Sequence, residues 1–147
     1  MTSIPDVTVS LRRLKKKAAG PAARDVAKAM GTAYQRDVVI RELSRYSHPP
    51  GTGTPSPPGF PPARVTGQLA ISIRTDPPIQ VGSASWKTRV GPTAVYGRIQ
   101  ELGGVTGRNH ATRLPPRPYL RPARNRMVAN GSLQRVAIET FRRHVTS

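Results

Sequence analysis

Histidine and carboxylate side chains are the groups in this sequence that could do acid–base or metal chemistry. The three histidines, His48, His110 and His144, lie far apart, and none has a second histidine or a carboxylate three or four residues away. Metal sites bring their ligands together at such short spacings. The chain has no cysteine, so disulfides, thiolate nucleophiles and cysteine-ligated zinc are excluded. The sequence therefore predicts neither a metal nor a cofactor.

The seven acidic residues occur singly, so a general acid and its partner base would have to come from distant segments. Arg108-Asn109-His110 has the residue types of a nuclease loop, but only Glu101 and Asp76 lie nearby as further metal ligands. Gly51-Thr52-Gly53-Thr54 is glycine-rich like a phosphate-binding loop, yet no Gly-Lys-Ser/Thr follows it. We expect a protein that is not an enzyme, and a small nuclease is the weakest alternative.

Positive charge is the strongest feature of the composition. The 24 Lys and Arg residues against 7 Asp and Glu give a formal net charge of +17, which makes DNA, RNA or an acidic protein face a candidate partner. The aromatic residues are scattered and form no base-stacking pattern. The candidate contacts to DNA or to an acidic partner are the basic residues of two clusters: Arg12, Arg13, Lys15, Lys16, Lys17, Arg108 and Arg113.

Turn-forming residues divide the chain into elements within a single domain of residues 1–147, which is short for two domains. Residues 1–20 form a basic N-terminal strand and arm, and residues 104–118 a basic loop. Residues 47–62, rich in proline and glycine, form a long loop or arm. This segment is either a disordered linker or an arm that becomes ordered against a partner, with Phe60 as its anchor.

Apolar periodicity predicts helices packed on a small antiparallel sheet. The predicted helices span residues 21–46, 66–75, 93–102 and 120–144, with Pro21 in the first turn of the first, Thr66 as a possible N-cap of the second, and an interruption at 130–132 in the last. Alternating residues predict a strand at 7–11 and a hairpin of strands 79–82 and 86–90. The expected fold is α+β, with a long N-terminal helix and a C-terminal helix against the sheet.

Three segments in order carry a resemblance to a known family. They are Thr66-Gly67-Gln68-Leu69-Ala70-Ile71-Ser72-Ile73, the stretch VGPTAVYGRIQELGG at 90–104, and Pro116-Arg117-Pro118-Tyr119-Leu120-Arg121-Pro122-Ala123. Together they resemble the neck, or head–tail joining, proteins of long-tailed bacteriophages, over roughly residues 60 to 145. Gly97 stands where members of that family commonly carry alanine.

The resemblance implies a small α+β subunit that assembles into a ring of six, or of twelve, between the portal and the tail. Its implied neighbours are connector or stopper proteins and tail terminator or tail-tube proteins, with genomic DNA in the lumen. The motif residues implied at the ring interface are Tyr96, Glu101, Tyr119, Leu120 and Arg121. We expect a virion protein, made in the host cytoplasm and without a membrane span; the alternative is a nonspecific nucleic-acid-binding protein of ribosomal or nucleoid type.

Overall fold

A helix of 22 residues and a four-stranded sheet form the centre of the fold in this computed structural model, which describes residues 6–10, 16–49, 56–83 and 85–146. The fold is α+β, as predicted. The helices are α1 (Lys16–Asp37), α2 (Gln68–Ser72), α3 (Gly97–Leu102), α4 (Leu120–Ala129) and α5 (Ser132–Thr146). The strands are β1 (Asp6–Ser10), β2 (Ile73–Thr75), β3 (Ile79–Gly82), β4 (Ser85–Pro92), β5 (Gly104–Thr106) and β6 (Thr112–Leu114).

Strand β4 is the central strand of the main sheet, and all of its pairings are antiparallel. β1 pairs with residues 85–89 of β4, while β3 and β2 pair with successive parts of β4, so that Gln80 lies opposite Trp86 and Ile73 opposite Pro92. The predicted strand near residues 7–11 and the predicted hairpin are therefore confirmed. β3 is exposed along its whole length.

Helix α1 begins earlier than predicted and ends differently. It starts at Lys16, so Pro21 lies inside the helix rather than at its first turn, because the alanines around Gly20-Pro21 are strong helix formers that outweigh the proline. At its other end the chain passes into a π-helical turn, Val38–Glu42, where the Leu43 N–H donates to the Val38 carbonyl at 3.0 Å. The three β-branched residues at 38–40 disfavour regular α-helix there.

The hydrophobic core lies between α1, the sheet and the C-terminal helices. The apolar periodicity of α1 corresponds to its buried face, since Val26 and Tyr34 are fully buried and Met30 and Ala33 pack against buried neighbours. On α5, Leu133 is buried and Phe141 packs on α1. Each large apolar side chain buried in this way stabilises the fold by roughly 1.5–3 kcal/mol.

Two of the predicted helices are shorter in the structure. The helix predicted at 66–75 is confined to α2, with Gly67 rather than Thr66 at its N-cap, and Ile73 belongs to β2. The helix predicted at 93–102 begins only at Gly97. The break near residue 130 is confirmed by the boundary between α4 and α5.

The two predicted loops are more ordered than expected. Residues 104–118 contain the β5–β6 hairpin around a 3₁₀ turn at Arg108–His110, so the loop prediction is wrong there. Residues 56–62 pack against residues 116–117 of their own chain. The Arg117 Nε donates to the Ser56 carbonyl at 3.0 Å, and the Gly59 N–H donates to the Pro116 carbonyl at 2.9 Å. Phe60 packs edge-on against Tyr46. Residues 50–55 lie outside the described residues.

Candidate functional site

The motif residue Glu101 lies at the junction between α3 and α4. Its carboxylate is 4% exposed and accepts three backbone N–H groups at the start of α4: Oε2 from Tyr119 at 2.7 Å and from Leu120 at 2.9 Å, and Oε1 from Arg121 at 3.0 Å. The first N–H groups of a helix have no partner within the helix, and a negative charge there interacts favourably with the helix dipole. Glu101 therefore acts as the N-terminal cap of α4 from another helix.

Two buried tyrosines complete this junction. The Tyr119 hydroxyl donates to the Gly97 carbonyl at 2.8 Å, and the Tyr34 hydroxyl of α1 donates to the Leu120 carbonyl at 2.6 Å. Burial raises the pKa of both tyrosines, and the nearby Glu101 carboxylate raises it further. We call Tyr34, Gly97, Glu101, Tyr119 and Leu120 the motif junction.

Gly97 is required by the close packing of this region. A Cβ added at Gly97 would lie 2.5 Å from the Cβ and Cγ atoms of Pro92 and 3.2 Å from Leu69 Cδ1. Contacts below 3.0 Å force a shift of the backbone or ring that makes them. Members of the resembled family commonly carry alanine at the position of Gly97. In this chain the glycine leaves room for the Pro92 ring that packs against it.

The motif residues predicted at the ring interface differ in their exposure, and their place at an interface stays a prediction. Glu101, Tyr119 and Leu120 are buried within the chain, where their side chains hold the fold together. Tyr96 and Arg121 are exposed.

The predicted basic contacts are only partly described by the structure. Arg12, Arg13 and Lys15 lie outside the described residues, and Lys16 and Lys17 form the first turn of α1. Arg108 and Arg113 are exposed on the β5–β6 hairpin, where Arg113 lies opposite the exposed Val105.

An ion-pair cluster that the sequence did not reveal joins α4 to the end of α1. The Arg126 guanidinium donates to both the buried Glu42 and Asp37. The Asp37 Oδ1 atom is also 3.3 Å from the Arg41 Nε atom. Asp37 and Arg41 have the short-range i,i+4 spacing, but Arg126 lies 84 residues from Glu42 and 89 residues from Asp37, so the sequence does not signal its part in the cluster.

A cleft of about 200 Å³ lies beside α2 and α3, and we call it the Arg64 cleft. Its walls include Leu43, Leu69 and Ala70, and Tyr96 lies at one side. The Arg64 side chain passes over Gly67, where an added Cβ would be 3.1 Å from Arg64 Nε. Gly67 also has φ +79°, which favours glycine. The sequence indicated only the helix start at this position.

Most of the described carboxylates bind other groups of the same chain. Where the structure describes acidic side chains, the carboxylate makes an ion pair or hydrogen bond in Asp25, Asp37, Glu42, Glu101 and Glu139. Asp76 makes neither with any residue that the structure describes. Because Glu42 and Glu101 are buried, the outer surface is more basic than the net charge suggests.

Within residues 6–10, 16–49, 56–83 and 85–146, no group of three or more histidine or acidic side chains is placed to hold a metal ion. No helix in the described part of the chain combines the length and the apolar character that a bilayer span requires. Comparison of the chain with models of known protein families, with curated proteins and with solved structures finds no match.

Proposed function

We propose that this chain is a structural subunit of the head–tail connector, or neck, of a long-tailed bacteriophage. In this proposal, copies of the chain form a ring of six, or of twelve, that joins the DNA-filled capsid to the tail. The ring is part of the virion, contacts connector or stopper proteins on one side and tail terminator or tail-tube proteins on the other, and carries out no catalysis.

The observation that carries the proposal is that the three segments resembling this family pack into one unit. Ile73 pairs with Pro92, and the Thr93 N–H donates to the Ser72 carbonyl at 2.9 Å, which joins the first segment to the second. Glu101 and Gly97 of the second segment bind the third through Tyr119. These contacts account for the order and spacing of the segments, because the second segment packs against both of the others.

Surface chemistry supports assembly as the mode of action. Among the residues whose exposure the structure describes, eleven large hydrophobic ones are exposed, including Val95 at 96% and Ile71 at 58%. Apolar side chains of this kind become contact surface when a neighbouring subunit covers them. Exposed arginines such as Arg108 and Arg113 are suited to phosphate groups of the DNA in the lumen.

Sedimentation velocity and negative-stain electron microscopy of the purified full chain test the proposal. The expected result is a closed ring with a central channel, and mass spectrometry of purified phage particles should find the chain in the virion. A strict monomer at every concentration that is also absent from particles would refute it. A monomer that is retained on duplex DNA, with affinity falling steeply as salt is raised, would favour the nucleic-acid-binding alternative.

A further inference from the structure

We propose that neighbouring subunits meet head to tail, with the segment Asp76–Gly82 of one copy seated in the Arg64 cleft of the next. In this contact the Ile79 side chain enters the cleft and the Asp76 carboxylate pairs with the Arg64 guanidinium. The inference rests on the proposed ring and specifies the surfaces that build it.

The cleft is shaped for an apolar side chain with a negative group beside it. Its volume of about 200 Å³ exceeds the ~150 Å³ of a cavity that holds benzene, so one aliphatic side chain fits. Leu43, Leu69 and Ala70 supply apolar wall, and no acidic residue lines it. The Arg64 guanidinium makes no ion pair or hydrogen bond with any residue that the structure describes. The backbone of Arg64 is fixed, since its N–H donates to the Tyr46 carbonyl at 2.6 Å.

The segment Asp76–Gly82 has the complementary features. Ile79 is 60% exposed and Val81 is 52% exposed, and they lie on β3, whose edge away from β4 has no strand beside it in the described sheet. An exposed apolar edge strand is a template for association. Pro77 and Pro78 stiffen the approach to Ile79, which reduces the entropy lost on docking.

Charge selects a second copy as the occupant. Asp76 is exposed, and it is the described acidic residue whose carboxylate is not engaged by its own chain. Among the described residues that line the hollow beside Ile79, Asp76 is the acidic one, and Lys87 and Arg89 are the basic ones. Two copies of a chain with a net charge of +17 repel each other unless their contact pairs opposite charges.

The placement of the two surfaces suits a closed ring. Gln80 lies opposite Trp86 near one end of β4, and the Arg64 cleft adjoins α2, which leads into the strand opposite Pro92 at the other end. The stretch from Trp86 to Pro92 is about 20 Å long at ~3.3 Å per residue. Because the two surfaces are different and separated, each subunit can use both at once, and such heterologous contacts form a ring where the rotation between copies closes and an open filament where it does not.

Charge reversal at both positions tests the contact. Sedimentation velocity of the full chain measures association of Arg64→Glu, Asp76→Arg and the double variant carrying both changes. Each single change should weaken association about tenfold or more, because it places like charges together, and the double variant should return to within about threefold of the unaltered chain. Arg142→Glu, a change of the same charge at an exposed position on α5, serves as the control and should have little effect. Circular dichroism checks that all variants fold.

The outcomes separate the inference from the proposed function. Rings that form unchanged in both single variants, as in Arg142→Glu, overturn the Asp76–Arg64 contact and leave the proposed ring standing. Single variants that weaken association without recovery in the double variant also overturn the pairing. An unaltered chain that remains monomeric at every concentration and is absent from phage particles overturns the proposed ring and this contact together.

Discussion

Glu101→Gln should destabilise the fold, because the change removes the charge that caps α4 while keeping the shape of the side chain. The carboxamide retains one oxygen, which can still accept the N–H groups of Tyr119 and Leu120 that share Oε2. The carboxamide nitrogen then faces the Arg121 N–H, which loses its acceptor Oε1. The helix start is thus left with weaker bonds and one unsatisfied donor.

The size of the effect follows from these changes. Loss of the charge costs about 1 kcal/mol for each of the two remaining bonds, since charge-assisted bonds are about twice as strong as neutral ones. The lost bond to Arg121 and the lost interaction with the helix dipole bring the expected cost to about 3–5 kcal/mol. For a chain of this length the melting temperature should fall by about 9–15 °C.

Urea unfolding followed by far-UV circular dichroism measures this free energy. Glu139→Gln is the matched control, because the Glu139 side chain is 68% exposed and pairs only with Arg143 on the same helix. The control should change the free energy of unfolding by less than about 0.5 kcal/mol. If Glu101→Gln is as mild as Glu139→Gln, the assignment of Glu101 as the cap of α4 is refuted.

Two substitutions and one pH titration test the packing further. Gly97→Ala should cost about 1–3 kcal/mol in urea unfolding, because the new methyl group meets a proline ring, and an unchanged midpoint would contradict this. Arg126→Leu should cost about 2–4 kcal/mol because it leaves Glu42 buried without its cation, and adding Glu42→Leu should recover much of the loss; no recovery would refute the pairing. Burial raises the pKa of Tyr34 and Tyr119, so the folded state keeps protons that the unfolded state releases above pH ~10. The stability that these two tyrosines contribute should therefore be complete below pH ~10 and fall as the pH rises above it. In an ultraviolet absorbance titration of the folded protein two of the four tyrosines should therefore ionise late, and simultaneous ionisation of all four would contradict the burial.

Local signals explain which elements could be predicted. The break between α4 and α5 follows from Asn130-Gly131, where Gly131 has φ +73° and the Asn130 Oδ1 accepts the Ser132 N–H at 2.9 Å. The β3–β4 hairpin follows from alternating residues across a short turn. Both depend on residues a few positions apart. Gly20-Pro21 predicts a helix start at Pro21, but the alanines around this pair extend α1 back to Lys16.

The candidate site shows where prediction from the sequence stopped. The motif residues Tyr119 and Leu120 were expected on a surface, yet they are fully buried. A motif of glycine, proline and aromatic residues marks a constrained position, but the same residue types serve a buried junction and an exposed interface equally well. The Arg64 cleft likewise needs a side chain crossing over Gly67, which no periodicity describes.

The sequence by itself determined the absence of cysteine chemistry, the excess of positive charge and the alternation of helices and strands, because composition and short-range periodicity are properties of neighbouring residues. Only the tertiary structure decided what the scarce carboxylates do. Glu101 finds its partners at Tyr119–Arg121, and Glu42 finds Arg126, across loops whose closure depends on how α1, α3 and α4 pack. With two of its acids buried in this way, the chain turns a basic surface outward and leaves Asp76 as an exposed carboxylate with no partner among the described residues.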